Sequence, residues 1–540
     1  MNGPQLPAVP DAITTALDAR DIPRATALAC EALEKGVEHP LLLNLRAYWH
    51  EANGREAEAF ADLRRASELA PDDVSILNAL GLSHARAGRL AEALGAFDAA
   101  LRLQPDFGPA HFNRGWVSED LGELDAARNA FARAAALKPE AAEPWARIAA
   151  LAARAGEWAA AKENAERALR LDSGNATAAQ AMASLEIAAG EAAAAEARLR
   201  ALLARDDLGP LDRAAAEGLL GDALDGQDRI EDAFAAYGRR NAIVREQYAG
   251  RFSGPGVQTV PQYLAWLTEW FSRLADGQWL AADAEPDSTA HVFLIGFPRS
   301  GTTLLEEILC VNPGVAATQE RDGLTDAVRD LMAKPADLER LAALRGGALA
   351  RYRRSYRANL AAAGVNVNAP VLLDKQPYNT IKLPVIVKLF PRARIVFSIR
   401  DPRDVVLSCY RRRFRMNPSN YELLTLDGAA RFYDAVMRLA GLYRSKLAPG
   451  IFDFRHEALI ADFEGRMNDV CAFTGIGWTP SMRAFAQRPR ARAIATPSAQ
   501  QVAAGLSGQG IGQWRRYRRQ LAPILPILAP WVEAFGYPAD

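Results

Sequence analysis

The sequence contains little cysteine and little histidine. Its four cysteines, Cys30, Cys310, Cys409 and Cys471, are far apart and form no C-x-x-C pair, and its six histidines do not cluster with them. Scattered cysteines of this kind are typical of free thiols in a reducing compartment and not of a disulfide framework. The spacing that protein metal sites use is not visible either, so we expect no metal.

An excess of charge and long apolar runs are also lacking. The 540 residues carry 64 basic and 65 acidic side chains, a balance that argues against broad binding to nucleic acid. No segment approaches the roughly 18 uninterrupted apolar residues of a membrane span. The N-terminal segment does not have the charged region followed by an apolar one that marks a secretory signal. We therefore expect a cytoplasmic protein with neither nucleic acid nor a membrane as its partner.

The first half of the chain has instead a repeat with a period of about 34 residues. Pro71, Pro105 and Pro139 are spaced by that period, and Ser173 continues the register. In the unit that starts at position 74, the recurring positions are Leu77, Gly81, Ala93, Phe97, Ala100 and Pro105. The next unit has His111, Gly115, Ala127, Phe131, Ala134 and Pro139 in the same positions. The pattern fades further on and returns, with a shifted register, at Gly221, Ala233 and Tyr237.

The alternation of small and large residues has a physical reason. Small residues allow two antiparallel helices to approach closely, large residues fill the space between neighbouring hairpins, and the proline ends the second helix. Period and alternation resemble the tetratricopeptide repeat, which implies an α-solenoid with a concave groove. The expected partner is a protein or peptide in that groove, with Phe112 and Trp116 as candidate anchors. The alternatives are a spacer or a surface for a homodimer, and plain packing against the next hairpin for the two aromatic side chains.

The alanine-rich pattern stops after Tyr248. A chain of 540 residues is too long for a single core, and the glycine- and proline-containing stretch at 250–256 marks a break. We predict a tetratricopeptide-repeat solenoid over residues 1–245, a linker with one short amphipathic helix over 246–288, and a second domain over 289–540.

Three short apolar strands are predicted in the second domain, over residues 292–295, 371–373 and 394–399. Short apolar strands that alternate with helices imply a three-layer α/β domain with a parallel sheet between the helices. Ligands of such domains bind at the carboxyl ends of the strands. Polar residues follow all three strands, so we expect them at that edge of the sheet.

A glycine loop follows the first of these strands. Residues 296–303 read G-F-P-R-S-G-T-T, and at the start of a helix such a loop turns backbone N–H groups toward a bound oxyanion. The spacing is that of a Walker A loop, but Thr302 stands where that motif has its lysine. Since the lysine holds the β- and γ-phosphates of a nucleoside triphosphate, its replacement favours a less charged, phosphate-like group. The alternative is a degenerate P-loop of an NTPase, with the run that ends at Asp374 as its Walker B strand.

Four segments resemble the sulfotransferases that use 3′-phosphoadenosine 5′-phosphosulfate (PAPS), and within them the tyrosylprotein sulfotransferase-like branch. The segments are the glycine loop, the D-K-Q-P run at 374–377, the R-D-P-R-D-V-V-L-S run at 400–408, and parts of residues 496–514. That branch includes bacterial proteins that join tetratricopeptide repeats to a sulfotransferase domain. The resemblance implies a P-loop-like α/β fold for the second domain.

The resemblance also implies the cofactor, PAPS without a metal, and a role for each residue. The loop residues expected to bind the 5′-phosphosulfate are Arg299, Ser300, Gly301, Thr302 and Thr303. Lys375 and Ser498 are expected to neutralise charge on the bridging or sulfuryl oxygens. Arg400 would bind the 3′-phosphate through charge-assisted hydrogen bonds, with Ser408 adding a hydroxyl donor.

Two positions depart from the family pattern. His456 stands where the family usually has a tyrosine that contacts the adenine nucleotide. Gln513 stands where a basic residue commonly precedes the tryptophan, here Trp514, of the segment that closes over PAPS. All three residues are kept as candidate cofactor residues.

Glu320 is the candidate general base. It follows the glycine loop and the helix that begins there, a placement that resembles the catalytic glutamate of the tyrosylprotein branch, where a carboxylate takes the proton of the acceptor. The alternative is an ordinary surface glutamate in a loop. The basic cluster at 411–415 also has two possible interpretations. It is either a solvated face or a source of positive potential for an anionic ligand. The predicted catalytic set is Glu320, Lys375, Arg299 and Ser498.

The expected function is transfer of a sulfuryl group from PAPS to a hydroxyl group. The expected acceptor is a tyrosine of a protein or peptide that the repeats recruit. Two alternatives stay open: the acceptor is a glycan, a lipid or a small metabolite, or the chain is a nucleotide-binding scaffold without catalysis.

Overall fold

The computed structural model describes residues 7–275, 278–279, 289–447, 450–487 and 505–540. The chain divides into two compact units. The first comprises Met1–Ala153 and Glu157–Met182, and the second comprises Arg154–Gly156 and Ala183–Asp540. The boundaries drawn from the sequence at 245 and 288 remain predictions.

Helices make up the described part of the chain as far as Ser253. They are α1 Asp11–Asp18, α2 Ile22–Glu34, α3 Pro40–Ala52, α4 Glu56–Leu69, α5 Val74–Arg86, α6 Leu90–Leu103, α7 Gly108–Leu121, α8 Leu124–Leu137, α9 Ala142–Ala155, α10 Trp158–Leu171, α11 Ala176–Ala188, α12 Ala192–Leu203, α13 Pro210–Gly226 and α14 Ile230–Ser253. Helices α5, α7, α9 and α11 begin at positions 74, 108, 142 and 176, which are evenly spaced with the period of the repeat. The predicted helical repeat is therefore present.

Glycine and a large aromatic ring meet inside a hairpin. A Cβ on Gly81 would lie 2.5 Å from the ring of Phe97, and one on Gly115 would lie 2.7 Å from the ring of Phe131. The large residue therefore packs on the glycine of its own hairpin, rather than only between neighbouring hairpins as the sequence suggested. Phe112 packs at 5.5 Å from Phe131, and Trp116 joins the apolar cluster around Phe97.

The α13–α14 hairpin repeats this packing within the second unit. A Cβ on Gly221 would lie 2.5 Å from the ring of Tyr237. The register shifts because α13 has 17 residues, whereas α11, which occupies the same place in its repeat, has 13. The short helix predicted in the linker is α15, Val260–Arg273, and its side chains Leu264, Leu267 and Phe271 are buried in the core of the second unit.

A five-stranded parallel sheet organises the rest of the second unit. Its strands are β1 Ala290–Gly296, β2 Val315–Ala317, β3 Val371–Lys375, β4 Arg394–Ile399 and β5 Ile451–Arg455, in the order β2-β3-β1-β4-β5. Strands β1, β3 and β4 correspond to the three predicted ones. Strand β2 has only three residues, and β5 alternates with charged residues, so neither gave an apolar run that the sequence could reveal.

Helices cover both faces of the sheet. The described helices that follow β1 are α16 Thr302–Leu309, α17 Thr325–Leu331, α18 Pro335–Ala343, α19 Gly347–Ala362, α20 Leu383–Leu389, α21 Pro402–Arg411, α22 Pro418–Tyr421, α23 Leu426–Leu447, α24 His456–Ala461, α25 Phe463–Thr474, α26 Arg518–Leu521 and α27 Leu525–Ala534. Among the described residues, 3₁₀ helices lie at Pro377–Thr380, Glu422–Leu424, Pro480–Gln487 and Gln513–Tyr517. Alternate residues of β1 enter separate apolar cores, Phe293 and Ile295 on one face and Val292 and Leu294 on the other. This is the predicted three-layer α/β arrangement.

Within the described residues, no helix has the length and apolar character needed to cross a bilayer.

Candidate active site

The glycine loop joins β1 to α16 and is tightly packed. Gly301 and Arg299 have φ angles of 96° and 70°, a region in which glycine is favoured and other residues are rare. A Cβ on Gly301 would lie 2.5 Å from Nδ1 of His456, so no other residue fits there without a shift. Thr302 and Thr303 are buried at the first turn of α16. The chain thus has the predicted order of strand, tight glycine loop and helix start, an arrangement that can bind an anion.

The two predicted phosphate motifs meet at the carboxyl edge of β1 and β4. Nε of Arg299 donates to Oγ of Ser408 over 2.9 Å, and Nη1 of Arg400 donates to the carbonyl of Arg299 over 3.0 Å. Oγ of Ser398, at the end of β4, donates to the carbonyl of Ser300 over 2.7 Å. Residues far apart in sequence are therefore bonded into one site.

Positive charge is concentrated at this site. Burial, followed by repulsion from Arg412 and Arg400, lowers the pKa of Arg299 to about 9. Burial, followed by the charges of Arg400 and Arg299, lowers the pKa of His456 to about 3, so His456 is neutral near neutral pH. Nε of Arg400 and Nδ1 of His456 are buried without a hydrogen-bond partner among the described residues. Buried unpartnered polar atoms beside mutually repelling cations indicate a site for an anion.

Lys375 and Glu320 form an ion pair at the neighbouring strand end. Nζ of Lys375 lies 2.6 Å from Oε1 of Glu320 and 3.3 Å from Oε2 of Glu306. Burial acts to lower the pKa of Lys375, but the charges of Glu306 and Glu320 more than offset it, and the pKa is raised to about 12. Lys375 is therefore a fully buried cation that two carboxylates stabilise.

The backbone at Glu320 is strained. Gln319 and Glu320 have φ angles of 52° and 66°, and a non-glycine residue in this region costs on the order of 1–3 kcal/mol. The N–H of Glu320 donates to the carbonyl of Lys375 over 3.1 Å, which holds the loop against β3. The side chain of Glu320 remains 37% exposed. Strain of this kind clusters at functional sites, although Arg20 and Asp228 adopt the same conformation in turns of the helical repeats.

Glu306 was not identified from the sequence. It lies on α16 in the run L-L-E-E-I-L, and an acidic residue inside an apolar helical run was the available signal. Its Oε1 is buried without a partner among the described residues, and burial raises its pKa to about 7, against the opposing effect of Lys375.

Replacing Glu306 with glutamine should change how stability depends on pH. The pKa of Glu306 rises from an ordinary 4.5 to about 7 on folding, so between these values the folded chain holds a proton that the unfolded chain has released. The stability due to this proton is fully present below 4.5 and is lost as the pH rises to about 7. Between about pH 5 and pH 8, the free energy of unfolding of wild type should therefore fall by up to about 3 kcal/mol relative to that of Glu306→Gln. Urea unfolding at both pH values measures the difference. Glu339→Gln, an exposed carboxylate change, should follow wild type, and parallel stability curves for wild type and Glu306→Gln would contradict the assignment.

Asp374, the alternative Walker B aspartate, is occupied by hydrogen bonds. It accepts from the hydroxyl of Tyr356 over 2.9 Å, from the amide of Asn379 over 3.0 Å and from Thr318 over 3.5 Å. These contacts give Asp374 a structural role in fixing the end of β3. Within the described residues, no group of three histidine, cysteine, aspartate or glutamate side chains is arranged to hold a metal ion.

A cleft opens beside the glycine loop and contains five of the predicted site residues, Arg299, Gly301, Thr302, Thr303 and Glu320. The other lining residues are Pro298, Gln376, Pro377, Tyr378, Phe414, Asn417 and Asn420. Their side chains are mainly aromatic or amide, and none of them is among the site residues predicted from the sequence. Ser498 lies outside the described residues.

The C-terminal segment reaches the site through its backbone. Trp514 is buried, and its backbone N–H donates to Oδ1 of Asp404 over 2.8 Å. Gln513 donates to the carbonyl of Gln509 over 2.7 Å. The carbonyl of Gly510 accepts a hydrogen bond from Nη2 of Arg400. Within the described residues of this segment, Trp514 is the buried anchor and Gly510 contacts Arg400.

Sequence comparisons find a similar family for a segment in each half of the chain. A sequence model described as "Sulfotransferase family" matches residues 291–480, and one described as "Tetratricopeptide repeat" matches residues 78–142. An "Uncharacterized protein" of Aquifex aeolicus is 24% identical over 253 residues, 45% of this chain and 32% of its own length. A "Putative protein-tyrosine sulfotransferase" of Caenorhabditis briggsae is 24% identical over 252 residues, 46% of this chain and 88% of its own length. The match thus spans about a third of the first relative and most of the second.

Among solved structures, the Cut9–Hcn1 tetramer of the APC/C is similar with a TM-score of 0.36 and 16% identity, over 48% of each chain. The glycine loop, Lys375, Arg400 and Ser408 all lie inside the segment matched by the sulfotransferase model. Residues 291–480 are therefore similar to the sulfotransferase family, and residues 78–142 are similar to tetratricopeptide repeats.

Proposed function

We propose that the chain transfers a sulfuryl group from PAPS to a hydroxyl acceptor, a tyrosine of a protein or peptide that the repeats recruit. One observation carries the proposal. The glycine loop and the Arg400–Ser408 motif are hydrogen-bonded to each other, which brings the two candidate phosphate-binding elements side by side.

The residues of the site fit the two charged ends of PAPS. The loop from Arg299 to Thr303 offers backbone N–H groups and an arginine for the 5′-phosphosulfate. Arg400 keeps a buried, unpartnered Nε among the described residues, and Ser408, which accepts from Arg299, retains its own hydroxyl proton for a 3′-phosphate. When bound, PAPS supplies an activated sulfuryl group with an adenosine 3′,5′-bisphosphate leaving group.

Lys375 and Glu320 are placed to perform the proton and charge steps. Glu320 lines the cleft and can accept the proton of the acceptor hydroxyl. Lys375 is a buried cation beside it, and a preorganised cation in a water-poor site stabilises developing negative charge. Glu306 places a second carboxyl group 3.3 Å from Nζ of Lys375.

The choice of a tyrosine acceptor rests on two supports. One relative is named a putative protein-tyrosine sulfotransferase, and the cleft presents Tyr378, Phe414 and the amides of Asn417 and Asn420 beside Glu320. Aromatic walls with a few polar groups suit a phenol ring. The repeats supply the surface that brings the protein to the cleft.

The class of cofactor is tested by thermal shift. Adenosine 3′,5′-bisphosphate at about 100 times its dissociation constant should stabilise the full chain by about 2.7 kcal/mol and raise the melting temperature. ATP with magnesium should produce a much smaller rise, because the loop lacks the Walker A lysine. Equal stabilisation by both nucleotides, or a larger effect of ATP, would contradict the proposal and favour the NTPase interpretation.

The acceptor is tested with radiolabelled PAPS and a panel of hydroxyl compounds. A peptide with a tyrosine among acidic residues should be labelled, and the same peptide with phenylalanine in place of the tyrosine should not. Sugars, lipids and small phenols complete the panel. Label on a sugar or lipid and none on the peptide would retain the chemistry and overturn the tyrosine assignment.

A further inference from the structure

The carboxyl end of α21 is held by another part of the chain. Helix α21 carries Ser408 and ends at Arg411, and the last carbonyls of a helix have no partner within the helix. Here Arg240 of α14 donates through Nη1 to the carbonyl of Arg411 over 2.7 Å and through Nη2 to the carbonyl of Tyr410. Asn241 also donates to the carbonyl of Tyr410, over 3.1 Å.

Arg240 makes these bonds from a buried position. It is 6% exposed, and its Nε donates to the amide oxygen of Asn241 over 2.8 Å. Burial lowers its pKa to about 10, which leaves it charged near neutral pH. A cation at the carboxyl end of a helix interacts favourably with the helix dipole. The ring of Phe234, also on α14, stacks on Tyr410 at 5.1 Å.

A second contact of the same hairpin involves Asp225, at the end of α13. Its Oδ2 pairs with Arg411, while its Oδ1 accepts from the hydroxyl of Tyr517 over 2.7 Å and pairs with Arg516 over 2.9 Å. Tyr517 and Arg516 belong to the C-terminal segment whose Gly510 carbonyl accepts from Arg400. Asp225 therefore contacts both elements that flank the predicted 3′-phosphate site.

We infer that the α13–α14 hairpin is a built-in part of the 3′-phosphate site, with Arg240 and Asp225 as positioning residues for Ser408 and Arg400. The inference rests on the proposed function, since it assigns the neighbouring pocket to a nucleotide 3′-phosphate. Neither residue touches the nucleotide. Arg240 fixes the end of the helix that carries Ser408, and Asp225 ties that helix to the segment beside Arg400. The smallest unit that binds the donor therefore includes this repeat hairpin and begins before residue 210.

The test compares two nucleotides that differ only in the 3′-phosphate. Dissociation constants of the full chain for adenosine 3′,5′-bisphosphate and for adenosine 5′-monophosphate are measured by calorimetry. In Arg240→Met, affinity for the bisphosphate should fall by at least about tenfold, because hydrogen bonds to a charged group are misaligned. Affinity for the monophosphate should change by less than about threefold. A general loss of structure would instead lower the affinity for both nucleotides to the same extent.

Arg239→Met is the matched control. Arg239 is the preceding residue of α14, is largely exposed, and pairs with Glu217 inside the same hairpin. This variant should bind both nucleotides as wild type does, and Arg240→Lys should recover part of the lost selectivity. If wild type prefers the bisphosphate and Arg240→Met keeps that preference, the inference is wrong while the proposed function stands. If wild type shows no preference, the proposed function itself fails.

Hydrogen exchange can be measured on the wild-type protein alone, so its result does not depend on whether a variant folds. Binding of the bisphosphate should slow amide exchange in peptides covering 234–245 and 405–413 more than binding of the monophosphate does. Slowing confined to the glycine loop with both nucleotides would overturn the inference.

Discussion

Replacing Glu320 with glutamine should lower the turnover number by a factor of about 10²–10⁴, the usual contribution of a general base. Glutamine preserves the length of the side chain and can still accept a hydrogen bond from Lys375, but it cannot take a proton from the acceptor. Binding of adenosine 3′,5′-bisphosphate should change by less than about threefold, because the lost interaction belongs to the chemical step. Sulfate transfer under saturating donor and the calorimetric dissociation constant measure the two quantities.

The matched control is Glu339→Gln, which removes an exposed carboxylate of the same domain. Its turnover should equal that of wild type. Full activity of Glu320→Gln would show that Glu320 is not the base, whereas inactivity of wild type with every acceptor would favour the scaffold interpretation.

Replacing Lys375 with methionine should lower turnover by about 10²–10³, the usual effect of removing one electrostatic stabiliser from an active site. Lys375 is fully buried and lies within 3.3 Å of Glu306 and 2.6 Å of Glu320, so the substitution also leaves Glu306 without its partner. The pKa of Glu306, already raised by burial, should rise further, because the remaining opposing charge is lost. Turnover and thermal unfolding of the purified full chain measure the two effects.

Lys382→Met is the control for this experiment. Lys382 is a neighbouring lysine that pairs with Asp322 over 2.5 Å at a partly exposed position, and its loss should leave turnover within about threefold of wild type. Turnover of Lys375→Met equal to that of Lys382→Met would exclude a catalytic role for Lys375.

The parts of the fold that depend on local pattern were predictable from the sequence. The period of the repeat placed its helices, since small and large residues recur at fixed positions of every hairpin. The glycine loop and strands β1, β3 and β4 were predictable because a buried parallel strand is a continuous apolar run that ends in polar residues. The resemblance implied only that Arg299 and Ser408 bind opposite ends of one cofactor; the hydrogen bond between them is seen in the structure.

The parts that depend on long-range contacts were not predictable. The Glu306 side chain could be assigned to Lys375 only when α16 was placed against β3. The basic cluster at 411–415 was open between two interpretations because its partners are far away in sequence. In the structure its residues have different partners. Arg411 pairs with Asp225, and Arg412 lies 3.6 Å from Asp222. Phe414 lines the cleft.

A crystal structure with adenosine 3′,5′-bisphosphate would show whether the glycine loop and the Arg400–Ser408 pair bind opposite ends of one nucleotide. We expect the 5′-phosphate on the backbone N–H groups of residues 300–303 and the 3′-phosphate on Arg400 and Ser408. A nucleotide bound elsewhere on the chain, or bound with its 3′-phosphate in solvent, would contradict this expectation.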